Sequence, residues 1–109
     1  MENHFVAINY IQCEEAYKPR FEALFGSRAK AIDLMPGFKN MHVLKPKTDN
    51  DPFLIVSYWE SEKHFKEWTN SPNFLEGHKR GFEDIRKAKE AGQNPPMTST
   101  FKTYQVIAE

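Results

Sequence analysis

A chain of 109 residues and 12.8 kDa holds material for a single domain spanning residues 1–109. Its Lys+Arg and Asp+Glu counts are both 15, giving a formal net charge of zero, which argues against a nucleic-acid partner, because such binders rely on excess base to neutralise phosphate. No apolar run approaches the roughly 18 residues of a membrane span, the N-terminal MENHFVAINY lacks the basic-then-apolar pattern of a secretory signal, and the single Cys13 can form no internal disulfide. The expectation is a cytoplasmic globular protein without a membrane partner. Aromatic residues make up 14% of the chain; large rings fill a thin core and also line sites for flat apolar ligands, and composition leaves both roles open.

Residues 4–12 (HFVAINYIQ) form a β-rich run that is apolar on both faces, with Phe5, Ala7 and Ile11 on one side and Val6, Ile8 and Tyr10 on the other. The period then changes. Tyr17, Phe21, Leu24, Ala31 and Met35 recur at helical steps, predicting an amphipathic helix over 15–34 with Pro19 in its first turn and Met35-Pro36-Gly37 as its stop. Residues 38–46 alternate as a strand, 47–52 read as a turn, and 53–59 (FLIVSYW) read as the strongest strand, so the three segments predict an antiparallel hairpin. Ser61 can cap a short helix over 62–70, and Ser71-Pro72 can open a further helix over 72–90 that ends before Gly92. Residues 100–108 supply a last strand.

The order β-α-β-β-α-β predicts an α+β, ferredoxin-like fold: a four-stranded antiparallel sheet with helices on one face. The other face stays apolar, and a second copy of the chain is its simplest cover, so a homodimer packed sheet to sheet is expected.

His78 is the most informative candidate. It sits four residues after Phe74 and four before Phe82, on the apolar stripe of its helix. A core histidine bonded to a backbone carbonyl is one reading and a ligating imidazole is the other. Gly77 and Gly81 flank it, each costing roughly 1 kcal/mol against Ala in a helix. Missing side chains there suit either helix packing or the close approach of something broad and flat. Trp68 is expected to point inward with Phe65. Asn9 is the odd residue of the first strand: its carboxamide shares a side with Phe5, Ala7 and Ile11, and is either bonded to backbone or presented to a ligand. His4, His42 and His64 have no zinc-site spacing, and no nucleophile elbow, Walker loop or dinucleotide fingerprint occurs. Cys13 reads as a packed thiol, and Lys79, Arg80, Arg86, Lys87 and Lys89 as a basic flank able to meet ligand carboxylates.

Taken together, Phe5 to Asn9 (FVAIN), Met35-Pro36-Gly37-Phe38, and Tyr58-Trp59-Glu60-Ser61 followed by Phe65, Trp68, Ser71-Pro72, Phe74 and His78 resemble the IsdG-type heme-degrading monooxygenases of the antibiotic biosynthesis monooxygenase group. The resemblance covers nearly the whole chain. It implies two ferredoxin-like subunits whose sheets close a dimeric α/β barrel, each holding heme between helices and sheet. It implies His78 as axial ligand of the heme iron, Asn9 as hydrogen-bond partner of the distal ligand, and Trp68 as the group that distorts the porphyrin. Phe74 and Phe82 would line the heme site. Gly77 and Gly81 depart from the pattern, where Ala or larger residues are expected. Heme would be substrate and cofactor together, with O2 and electrons from an external reductase opening the ring and releasing iron. Two alternatives stand beside this reading: a heme-binding protein that buffers without turnover, and a cofactor-free monooxygenase acting on a quinol or polyketide-like aromatic.

Overall fold

The first strand, β1 (Phe5–Cys13), runs through the middle of a four-stranded antiparallel sheet of order β2-β3-β1-β4, where β2 is Phe38–Leu44, β3 is Phe53–Trp59 and β4 is Met97–Gln105. The coordinates are a computed structural model and describe residues 5–26 and 31–109. The sheet carries three helices: α1 (Lys18–Gly26), α2 (Glu62–Thr69) and α3 (Pro72–Glu90). This is the ferredoxin-like order expected from the sequence.

The alternation of β1 decides which side chains reach the helices. Its register sets Phe5 opposite Trp59, Ala7 opposite Ser57, Asn9 opposite Ile55 and Ile11 opposite Phe53. Those residues and their counterparts on β2 and β4 form the helix-covered face. Two clusters fill the layer above it. Ile11, Phe21 and Phe53 make one, with Tyr17, Phe25 and Met97 packed against them. Ile32, Trp59 and Trp68 make the other, with Phe5, Met35, Phe65 and Phe74 around them.

Caps set the helix boundaries where the sequence has them. Ser61 Oγ accepts from His64 N (3.3 Å) to start α2. Ser71 Oγ accepts from Phe74 N (3.2 Å) to start α3, with Pro72 in the first turn, where its missing N–H costs nothing. Past the end of α3, Gly92 takes φ 73°, a left-handed conformation that favours glycine. Gly37 (φ 79°) turns the chain into β2, and any Cβ there would collide with the His64 ring.

Two expectations need correction. The single helix over 15–34 is instead a 3-10 turn at Glu15–Tyr17, α1, and a second 3-10 turn at Ala31–Leu34, with residues 27–30 outside the described part. The helical stripe is real through Phe21 and Leu24, but Gly26-Ser27 offers a helix stop inside it. The last strand begins and ends three residues earlier than 100–108. Its ladder with β1 begins at Cys13 opposite Met97, just after the Glu14 N–H donates to the Pro96 carbonyl (2.9 Å). Long-range pairing therefore sets its start, and the apolar Val106-Ile107 that suggested a later strand lies beyond it, with Ile107 88% exposed. The strand read as 4–12 runs on to Cys13, with His4 outside the described residues, while the strand read as 38–46 ends at Leu44 and the helix read as 62–70 at Thr69.

The second face of the sheet carries Val6, Ile8 and Tyr10 of β1, Leu54, Val56 and Tyr58 of β3, and Tyr104 of β4. None of these belongs to either core cluster. Within one chain, no described helix covers that face.

Candidate active site

Between α1, α3 and the sheet lies a cavity whose lining includes Asn9, Ser57, Trp68, Phe74, His78, Gly81 and Phe82. Its volume is about 150 Å³, and it opens to solvent. Thus His78, Asn9 and Trp68, singled out separately along the chain, wall one space.

The helical spacing does the local work on α3. Residues four apart are neighbours on a helix, so Phe74 and Phe82 flank the imidazole of His78, stacked on it with centroids 4.1 Å and 5.6 Å away. The Nδ1–H of His78 donates to the carbonyl of Phe74 (2.7 Å); a carbonyl can only accept, so the proton is fixed on Nδ1. Burial pushes the pKa of His78 below its ordinary value of 6.5, outweighing the opposite pull of that hydrogen bond. The neutral ring then carries its lone pair on Nε2, the state required of a metal-ligating or proton-accepting imidazole.

Trp68 comes from α2 and is 6% exposed. Its ring lies 6.4 Å from His78, packs edge-on against Phe74 at 5.4 Å and stacks with Trp59 at 6.5 Å. Trp59 is fully buried and held from the strand side: its Nε1–H donates to Ser57 Oγ (2.9 Å). Ser57 Oγ in turn donates to the Ala7 carbonyl (3.5 Å). This anchor under the tryptophan pair escaped the sequence reading, because the alternation of FLIVSYW places Ser57 inward but gives no hint of its partners.

Asn9 is 6% exposed, and its Oδ1 is buried without a hydrogen-bond partner among the described residues. Such an orphan costs about 1–3 kcal/mol. Of the two readings open for Asn9, bonding of that oxygen to backbone is not what the structure has. Phe101, paired with Asn9 across the β1–β4 ladder, also lines the cavity and touches Phe65 with centroids 6.2 Å apart. Its part in the wall depends on strand register, which the sequence does not display.

Gly81 lines the cavity; the surroundings of Gly77 lie outside the described side chains. In the basic flank, Arg80 reaches the cavity wall and its Nη2 donates to the Leu24 carbonyl (2.8 Å), tying α3 to α1, whereas Arg86 pairs with Glu83 and Glu90. Asp84 adds a second tie by accepting from Tyr17 Oη (2.7 Å) and Arg20 Nε (3.0 Å). Cys13 is half-buried, with its thiol pushed up chiefly by burial. His64 Nδ1 and Ser61 Oγ are 2.7 Å apart at the start of α2, away from the cavity lining. No described helix is long and apolar enough to cross a membrane.

Residues 4–80 match the antibiotic biosynthesis monooxygenase family model. The chain is 34% identical over 67 residues to a mycobilin-producing heme oxygenase of Mycobacterium tuberculosis, an alignment covering 62% of this chain. It spans 64% of that relative's length. The heme degrader MhuD from the same organism, solved with two hemes bound in its active site, superposes with a TM-score of 0.69 at 28% identity, covering 96% of this chain and 97% of that one. SnoaB, a cofactor-independent oxygenase from Streptomyces nogalater, superposes with a TM-score of 0.69 at 18% identity over 98% and 96% of the two chains, a likeness of fold alone.

Proposed function

The chain belongs to the antibiotic biosynthesis monooxygenase family, and we propose that it is a heme-degrading member, which binds heme through His78 and opens the porphyrin ring with O2 and electrons from a separate reductase, releasing iron. The observation that carries this reading is the neutral imidazole of His78: Nδ1–H is spent on the Phe74 carbonyl while the ring lines an apolar cavity. The unbonded Oδ1 of Asn9 in the same cavity supports a ligand there, since a buried acceptor left unpaired is explained by a bound donor, from a ligand or a water, that completes its bonding. The relatedness to a heme oxygenase and to a heme-bound MhuD points the same way.

Heme is substrate here, and when bound supplies the iron at which O2 is activated. The protein's own part is placement. His78 would hold the iron through Nε2, with Phe74 and Phe82 fixing the plane of the imidazole. Asn9 would orient what binds beside the iron through its carboxamide. Trp68, backed by Trp59, presses on a flat ligand and biases oxidation toward the ring itself. The apolar lining excludes water and strengthens each polar contact inside. Because no described helix covers the second sheet face, a second copy packs there; the working unit is a cytoplasmic homodimer in which each 109-residue chain acts as one domain.

Hemin titration followed by aerobic incubation with a reductant and catalase tests the proposal. The expected outcome is a stoichiometric Soret shift, then Soret decay with release of iron and a bilin-like product identified by mass spectrometry. A complex that stays intact under those conditions reduces the protein to a heme buffer. Absence of any shift leaves the cofactor-free oxygenase.

A further inference from the structure

Gly81 stands one turn after His78 in the interior of α3 and lines the same cavity. Glycine weakens a helix, so its place there needs a reason. Two structural reasons fail. The backbone does not demand it, because Gly37 and Gly92 take positive φ and Gly81 does not. Packing does not demand it either: a Cβ built at Gly81 would meet, among the described residues, only the terminal methyl of Met97, at 3.2 Å. Met97 is unbranched, and the end of its side chain can give way. What a side chain at this position would do is push the Met97 methyl, itself part of the cavity wall, and so narrow the space over α3.

That space matters because the rest of the wall is occupied. Phe74 and Phe82 stack on the two sides of the His78 ring, and the cavity's volume is only about 150 Å³. A broad planar ligand must approach Nε2 within bonding distance while its rim passes over α3. We infer that Gly81 is a specificity-determining residue: its missing side chain leaves Met97 room on the cavity wall and keeps the clearance over α3 that lets a wide, flat ligand come close to His78 Nε2. The inference rests on the heme reading and deepens it, assigning breadth selection to a position outside the His78, Asn9 and Trp68 set.

The test compares wild type, Gly81→Ala and Gly81→Leu by thermal melting and by hemin titration read in the Soret band. If the glycine serves the ligand, Gly81→Ala melts at or above the wild-type temperature, because a helix former replaces a helix breaker. Its hemin affinity falls about tenfold, the scale of an overpacked contact, with a displaced Soret maximum, and Gly81→Leu falls further. A Gly81→Ala protein that binds hemin as tightly as wild type, with the same spectrum, overturns the inference and leaves the heme reading intact. A Gly81→Ala protein that melts well below wild type also overturns it, since the glycine would then be structural. No Soret shift in the wild type overturns both.

Discussion

At one end of the layer between helices and sheet, Phe21 packs against Phe25 and Phe53 with ring centroids 5.0 Å and 4.8 Å apart, and Ile11 closes the cluster. At the other end, Trp59, Trp68 and Phe74 gather around an imidazole. Both ends are aromatic and both rest on the same strands. The first also gives Ile11, Phe21 and Phe25 to the cavity wall, but offers that cavity only apolar surface. The second stops short of closure, leaving a nitrogen lone pair on His78 and an unbonded oxygen on Asn9 at the edge of a cavity. Aromatic content alone therefore says little about function; what separates the two ends is where polar atoms are left with bonds to make.

The widest separation of the two ends comes from paired truncations. His78→Ala should abolish the hemin-induced Soret shift while melting close to wild type, because His78 is only partly buried. Phe21→Ala should do the reverse: it removes a buried ring, costs about 3–5 kcal/mol, and lowers the melting temperature with the Soret response of the folded fraction preserved. Equal damage to both properties in either variant would erase the distinction between an apolar end that braces the cavity and an end that ligates.

Asn9→Leu sharpens the comparison by finishing the unfinished end. Removing the orphaned oxygen should raise stability by up to about 1–3 kcal/mol in denaturant unfolding, while turnover of bound heme falls. A less stable Asn9→Leu protein would mean that the carboxamide is satisfied after all. Trp68→Phe keeps most of the ring volume, so hemin should still bind while ring opening slows; an unchanged rate in single-turnover spectra would remove the pressing role.

The smallest expected effect is in pH. The depressed pKa of His78 means that the folded chain holds fewer protons there than the unfolded one, so stability is full above about 6.5 and declines as pH falls toward the folded-state value. Hemin ligation should weaken over the same window, because a protonated Nε2 has no lone pair. Tyr17 behaves in the opposite sense. Burial and its hydrogen bond to Asp84 raise its pKa, so its contribution is present below the ordinary tyrosine value near 10 and is lost at higher pH. Melting curves should therefore lose an acid-side decline in His78→Gln and an alkaline-side decline in Tyr17→Phe.

Local chemistry made much of this legible. The helix Pro72–Glu90 was readable to the residue because Ser71, Pro72 and Gly92 mark its ends, and the stacking of Phe74, His78 and Phe82 follows from spacing within one helix. The strand Phe53–Trp59 was equally plain, being a continuous apolar run. What escaped was set at long range. The register of β4 depends on β1, so its three-residue displacement and the place of Phe101 in the wall were invisible. The meeting of Asn9 with His78 depends on how α3 lies across the sheet, and their roles came from family resemblance rather than from pattern. The division of residues 15–34 into two 3-10 turns and α1 is not visible in an apolar period that runs on through all of them.

Strand β4 carries one further consequence. It is hydrogen-bonded to β1 along one side only, and almost every residue in it is exposed, yet it contributes Met97 and Phe101 to the cavity. The pocket thus borrows part of its enclosure from an edge strand of the sheet. Loosening this border would widen the chamber without disturbing the helix that bears the imidazole, so the ease with which a bulky guest gets in and the firmness with which it is gripped are governed by separate parts of the molecule.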